Sequence, residues 1–546
     1  MGFDYDYVVI GGGSAGCVIA GRLVRDHAAR VLLLEAGGTH RRPYVDMPAG
    51  AFKMMFGPGD YLVRYASEPQ PALHGRSVEI AQGNLIGGGS SVNAMTYMRG
   101  LASDYDEWDA ELGGAGWNWG SLLPYFVRQE GNGRLSGPAH GTDGPLKVQD
   151  HRWICGAADR FVNAAAEAGI PVRDDFNAGQ TTGVGFTQIT ASSGRRSSAA
   201  NAFLDPLKRD PRLQVVTRAR VDRILFEGTR AVGVCYTHGG AAHEARCKGE
   251  VVLTAGAYNS PKLLMLSGIG PAAHLVELGL PVLADLPGVG QGMQDHNMVP
   301  VMAHARPGYG YYGEDTGVRL VRNVLRYAFG RKGPLASNGS EAVAFVNLDD
   351  PKGKPHLQIY CLGFLPPGVS EQAGLILAPT LVRPKSRGWM RLRSSDPAAP
   401  PVISPNYFSD PEDIALMVRG VRFCREIMAR QPLAAIIREE IAPGTTAETD
   451  EELAAFCLAT TFTNYHPVGS CRMGRDEDPM AVVDPQLQVR GVTGLRIGDA
   501  SIMPRIPGAN TNAPTMVIAD RCVDLMTQPA FAKAAETART SQLLGG

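Results

Sequence analysis

The sequence predicts an α/β, Rossmann-like domain at the amino terminus joined to a second domain of different composition, and three observations carry that prediction. Tyr7–Ile10 is a short β-rich run followed by Gly11, Gly13 and Gly16 in the order GxGxxG and then by a periodic segment, Ala15 to Val24. The 66 glycines among 546 residues, about 12% against a usual ~7%, cluster beside apolar runs at 11–16, 87–89, 268–270 and 288–292. Between about 301 and 460 the composition shifts to proline, arginine and aromatic residues with fewer glycine turns.

At roughly 100 to 200 residues per domain, 546 residues make three to four domain-sized units or two large ones. A 44% apolar and 20% charged composition excludes a disordered chain, and a net charge of −1 leaves no whole-chain electrostatic footprint for nucleic acid or an anionic membrane. No stretch reaches the ~18 uninterrupted apolar residues of a membrane-spanning helix. The acidic start MGFDYDYVVIGGG is unlike a signal peptide, so a cytoplasmic location is expected. The nine scattered cysteines contain no CxxC pair, which argues against a disulfide framework and a zinc site; no metal is expected. Oligomeric state leaves no trace in the sequence.

In the first unit, Gly11 permits a tight turn, Gly13 lets backbone approach a pyrophosphate, and Gly16 lets the helix pack on the strand while its positive end faces the phosphates. A second strand, Val31 to Leu34, ends in Glu35, 19 residues after Gly16, where a carboxylate can bond ribose hydroxyls. Strand, glycines, helix, strand and acid in that order read as dinucleotide binding, without separating NAD from FAD. The next glycine loop, Gly83 to Gly100 (GNLIGGGSSVNAMTYMRG), offers Ser90, Ser91, Asn93 and free backbone N–H groups for a second phosphate or a ring edge.

Along nearly the whole chain these motifs, with Gly256–Gly270 (GAYNSPKLLMLSGIG), Gly288–His296 (GVGQGMQDH), His466–Gly474 (HPVGSCRMG) and Gly494–Thr515, resemble the glucose-methanol-choline (GMC) family of FAD-dependent alcohol oxidoreductases. The resemblance implies an FAD-binding Rossmann-like domain, discontinuous over 1–150, 190–300 and 461–530. It also implies an α+β substrate domain with an antiparallel sheet over 151–189 and 301–460, leaving 531–546 as a flexible tail. FAD contacts are expected at Gly11, Gly13, Ser14, Ala15, Gly16, Glu35, Ala36, Gly87, Gly88, Ser90, Ser91, Asn93, Ala94, Val221, Ala255, Gly256, Asp499, Ala500, Asn512 and Ala513. Two positions depart from the family: Asn84 stands where a basic residue is usual, and Val92 where some members attach FAD through a histidine. FAD is therefore expected to be non-covalent.

Removing two electrons from an alcohol requires a base for its proton and an acceptor for hydride. Imidazole titrates near neutrality, and in this motif His466 is the expected base, with hydride passing to flavin N5. Asn512 is the expected partner, orienting the substrate oxygen, with helix capping as its alternative role. Pro514 is expected at the first position of the final helix. Glu341 and Asn464 are expected at the substrate cavity, whereas His296 reads as a junction residue. The expected partners are a small organic or sugar primary alcohol and a quinone-type or dye acceptor. Alternatives are the same oxidation with O2 giving H2O2, for example on an aryl alcohol, or a lyase or non-catalytic flavin-binding protein.

Within the same frame, the stretch RLQVVTRARVDRILFE reads as paired strands. The stretch Val382–Pro397 reads as sheet with a solvated basic face.

Overall fold

A wholly parallel five-stranded sheet organises the amino-terminal domain, in the spatial order Leu213–Val216, Val31–Leu34, Tyr7–Ile10, Val251–Leu253, Leu495–Ile497. The computed structural model describes residues 4–527, so the tail expected at 531–546 lies outside the described residues. Parallel strands covered on both faces need apolar residues at every position, and VLLL at 31–34 is buried throughout. The helix following the first strand runs Ser14–His27, longer at both ends than its apolar period. It packs against the final described helix, Asn512–Thr527, where Arg22 donates to Asp520 at 2.7 Å across 498 residues of sequence. That helix begins at Asn512, which places Pro514 third in it; a proline in the first turn removes an N–H that has no partner there anyway.

The stretch RLQVVTRARVDRILFE divides between two sheets instead of pairing with itself. Leu213–Val216 joins the parallel sheet beside Val31–Leu34, and Ala219–Glu227 opens an antiparallel meander with Arg230–His238 and Ala241–Arg246. Arg218, with φ of +54°, makes the corner between them.

The second domain is built on a sheet with the order Ile437–Ala442, Val301–Ala305, Gly374–Leu381, Leu357–Leu362, Ala342–Val346, Gly183–Phe186, all antiparallel neighbours. Side chains alternate across it, as period-two geometry requires. Ala342, Ala344, Ile359, Cys361, Leu375 and Leu377 pack with Phe161, Met417, Val421 and Cys424 on covering helices. Val343, Phe345, Tyr360, Ile376 and Ala378 point the other way, and Tyr360 and Ile376 there meet the cavity between the domains. Two short strands that the sequence divided off from this sheet, Asn297–Met298 and Phe462–Thr463, pair with each other at its margin. Within Val382–Pro397 only Gly388–Arg391 is a strand, and Arg383 is ion-paired with Asp104 and Glu107.

Candidate active site

A cavity of about 750 Å³ runs from the carboxyl ends of the parallel strands to the inner face of the antiparallel sheet. At one end it is walled by backbone. Gly13, Ser14 and Ala15 open the first helix there, with Glu35 and Ala36 beyond the second strand and Ala219 and Val221 on the meander. The strand carrying Val221 has a bulge between Val221 and Arg223, interrupting its ladder where it meets the cavity. Glu35 is buried, accepts from Gly12 N at 2.8 Å and Gly37 N at 2.7 Å, and is pushed upward by burial against those bonds. Each of its oxygens keeps a lone pair for a ribose hydroxyl.

Close packing explains the glycines. A Cβ at Gly16 would lie 2.0 Å from Gly11 O, and one at Gly88, whose φ is +48°, would lie 2.8 Å from Gly13 Cα. The two glycine loops therefore cross in contact, forming a cradle that a side chain would fill. Beside it, Ala255, Gly256, Asp499, Ala500, Asn93 and Ala94 continue the wall. Asp499 accepts from Gly256 N at 2.8 Å and Ser501 N at 2.8 Å, so its carboxylate fixes two backbone turns. A long cavity with a backbone cradle and a carboxylate at its nucleotide end fits FAD.

At the other end the cavity is walled by side chains. His466 follows Tyr465, a non-glycine residue at φ +61°, and the turn is held by Asp295, whose Oδ1 accepts from His466 N at 2.9 Å. Hydrogen bonding determines which ring nitrogen of His466 is basic. Val382 O can only accept, so His296 Nε2, 3.1 Å away, carries a proton. In neutral His296, Nδ1 is then an acceptor, and His466 Nδ1, at 3.0 Å, must donate to it. This leaves a lone pair on His466 Nε2, towards which Asn510 Nδ2 lies at 3.3 Å. Burial, with the neighbouring His296 adding to it, holds His466 well below the usual imidazole range, and burial brings His296 down to about 4. The pair is neutral at ordinary pH, and His466 can take up a proton.

The neighbouring network orients the amide. Gln358 Nε2 donates to Asn510 Oδ1 at 3.3 Å, turning Asn510 Nδ2 towards His466 and the Tyr360 hydroxyl at 3.1 Å. Asn464 Nδ2 donates to the same hydroxyl at 3.2 Å and lines the cavity.

The site departs from the sequence-based expectation at several residues. Asn512 does not face His466. It lies in the first helical turn and its Oδ1 accepts from Ser14 Oγ at 2.8 Å, joining two helix starts at the cradle. Asn510, two residues earlier and outside the helix, takes the place beside the histidine. Glu341 does not reach the cavity: it is fully buried, receives hydrogen bonds from Tyr311 and, at 2.7 Å, from Ser337 Oγ, and approaches Cys155 Sγ at 3.6 Å. Gly16, Gly87, Ser90, Ser91 and Ala513 lie behind the wall, not in it. Ser90 Oγ bonds Gly87 O at 2.6 Å and Ser91 Oγ bonds Ile86 O at 2.9 Å, so both serines shape the loop from within.

His296, read as a junction residue, is the hydrogen-bonding partner of His466. Asn510, Tyr360 and Gln358 went unread. The clue to Asn510 was the sequence NTN itself, in which both asparagines line the cavity. A buried arginine missed in the sequence, Arg196, supports the second loop by donating to Ser90 O at 3.1 Å and Asn93 Oδ1 at 2.8 Å. It brings a positive charge to a loop that has Asn84 in place of a basic residue.

Two family models described as GMC oxidoreductase match residues 5–298 and 384–519. The chain is 40% identical to an alcohol dehydrogenase [acceptor] of Pseudomonas putida over 96% of both chains. It is also 40% identical to the mitochondrial choline dehydrogenase of Homo sapiens, over 97% of this chain and 91% of that one. Among solved structures, pyridoxine 4-oxidase from Mesorbium loti superposes with a TM-score of 0.85 at 32% identity, covering 95% of this chain and 98% of that one. Formate oxidase from Aspergillus oryzae gives 0.89 at 27%, covering 96% and 98%. The chain thus belongs to the GMC oxidoreductase family, FAD-binding enzymes that act on CH–OH donors.

Proposed function

We propose that the protein oxidises an uncharged primary alcohol to the aldehyde, with His466 as base, Asn510 as the group that orients the substrate oxygen, and a quinone-type or dye acceptor taking the electrons. The observation that carries this reading is the lone pair on His466 Nε2, fixed by the His296 hydrogen bond and directed at the cavity beside an amide N–H. FAD, when bound, supplies the acceptor for the hydride. The residues of the chain do the rest. His466 Nε2 takes the hydroxyl proton, raising electron density on the oxygen so that the carbinol hydrogen can leave with its pair. Asn510 Nδ2 and the Tyr360 hydroxyl hold that oxygen against the base, and Gln358 keeps the amide from rotating.

The proposed FAD is non-covalent, since Val92 lines the cavity and His466 is the only histidine among its lining residues. The proposed absence of charge on the substrate is supported by the lining of the substrate end. Met298, Tyr360, Leu362, Phe364 and Phe462 surround it, the buried acid Glu341 is held away by Tyr311 and Ser337, and buried Asp295 is engaged by His466 N, Tyr407 and Thr463. The polar pair Asn464 and Tyr360 favours a dehydrogenase, because an amide and a hydroxyl make a poor resting place for apolar O2. Oxidase activity giving H2O2 is the second reading, supported by the two oxidases among the similar structures.

Anaerobic addition of benzyl or alkyl primary alcohols should bleach the flavin spectrum, and choline should do so far more slowly. A flavin that no alcohol reduces would leave the lyase or binding-protein reading. Peroxide formation in air as fast as dye reduction would select the oxidase.

A further inference from the structure

The helix Gly317–Gly330, GVRLVRNVLRYAFG, is turned inside out for a soluble protein. An amphipathic helix ordinarily buries its apolar stripe and shows its polar face to water. Here the two buried residues are Asn323 and Tyr327, one turn apart. They hold the helix to the protein by polar bonds: Asn323 Nδ2 to Glu314 O at 2.9 Å and Tyr327 OH to Gly194 O at 3.1 Å. At 100° per residue, Val318, Val321, Leu325 and Phe329 fall on the side opposite that attachment, and they are 86%, 59%, 51% and 88% exposed. Val324, 46% exposed, borders the stripe.

Charge says what covers it. Arg319, Arg322 and Arg326 form one flank of the stripe, the helix contains no acidic residue, and Arg331 and Lys332 follow it. Glu314, at the start of the segment, reaches Arg322 at 3.2 Å and Arg319 at 3.6 Å, which leaves the flank cationic. A net charge of −1 for the chain conceals this concentration. A second copy of the chain, seated stripe to stripe, would set two rows of arginines together without acids between them. An anionic bilayer surface satisfies both features, taking the apolar side chains into its acyl boundary and the guanidinium groups among its phosphates.

The chain on either side of the helix leads to the substrate cavity. Tyr311 packs on Phe52 and Phe364 of the cavity wall, with ring centroids 6.2 and 6.4 Å away, and Asn338, Gly339 and Ser340 line the cavity only eight to ten residues after Gly330. Phe56, on the same rim, lines the cavity and is 54% exposed.

We propose that the helix Gly317–Gly330 docks the protein on the surface of an anionic phospholipid membrane, lying in the interface without spanning it. No helix among the described residues is long and apolar enough to cross a membrane.

The FAD-loaded full chain would be sedimented with vesicles of phosphatidylcholine alone or mixed with phosphatidylglycerol. It should bind the mixed vesicles, leave the neutral ones, and be released by salt. The double variant Leu325→Gln, Phe329→Gln should bind at least about tenfold more weakly, and the triple variant Arg319→Gln, Arg322→Gln, Arg326→Gln about 10²-fold more weakly. Both should keep the parental rate with a soluble dye, since neither touches the cavity. The proposal is overturned by a parent that ignores anionic vesicles or by binding that the apolar double variant retains. It is equally overturned by a dimer in solution that Phe329→Gln dissociates, which would assign the stripe to a second copy.

Discussion

The two ends of the cavity are made of different material. At the nucleotide end the wall is backbone, delivered by loops in which glycines stand one to three residues apart, and the geometry is enforced by contacts that no side chain can enter, such as Gly88 against Gly13. At the substrate end the wall is side chain, delivered by Met298, Tyr360, Asn464, His466 and Asn510 from four separate segments. The difference teaches that the first end is limited by backbone contact, with no room for an added atom at Gly16 or Gly88, whereas the second depends on individual functional groups and can absorb changes in volume.

This contrast can be broken most forcefully at Gly16, where a Cβ would sit 2.0 Å from Gly11 O. Gly16→Ala should abolish FAD incorporation, read as the ratio of flavin to protein absorbance; a fully yellow variant would show that the cradle yields. The two neighbouring asparagines sharpen the comparison. Asn510→Ala should retain FAD and lose about 10 to 10² in the rate of flavin reduction, the worth of a hydrogen bond to a developing charge. Asn512→Ala should do the reverse, releasing FAD more readily with little change in that rate. Anaerobic stopped-flow and flavin-release measurements on both variants decide between them.

A smaller effect is expected at His296. Without its Nδ1, the His466 tautomer is no longer fixed, and His296→Ala should slow reduction by up to about tenfold, roughly one net hydrogen bond. Rescue by a glutamine, whose side-chain oxygen can accept from His466 Nδ1, would separate positioning from packing. The smallest effect is on pH. Because burial and His296 lower the His466 pKa well below 6.5, the imidazole is already neutral above that value and protonates only on further acidification. The reductive rate should therefore stay level through neutral pH and past 6.5, and fall only at lower pH, where the imidazole protonates. A rate rising tenfold per unit through neutrality would mean that His466 titrates normally.

How much was legible in the sequence follows the same division. The parallel sheet, the glycine cradle and Glu35 could be read because their signals are local: a β run, three spaced glycines, an acid at a strand end. His466 was legible through its motif. The side chains around it were not, because Tyr360 and Gln358 reach Asn510 across about 150 residues of sequence and only strand register decides which face of the sheet each occupies. The choice between Asn510 and Asn512 depended on where a helix begins, and a start placed at Pro514 instead of Asn512 left the first asparagine unexamined. Glu341 failed for a related reason: the tyrosine and serine that turn it inward are 30 and 4 residues away, and nothing in its immediate sequence announces them.

The account rests on His466 as the base, and single-turnover anaerobic reduction of His466→Ala tests it most directly, because reoxidation is excluded. The variant should remain yellow and reduce its flavin about 10² to 10⁴ times more slowly than the parent, since general-base catalysis typically contributes that much. Reduction at the parental rate would contradict the account and require a base elsewhere in the cavity.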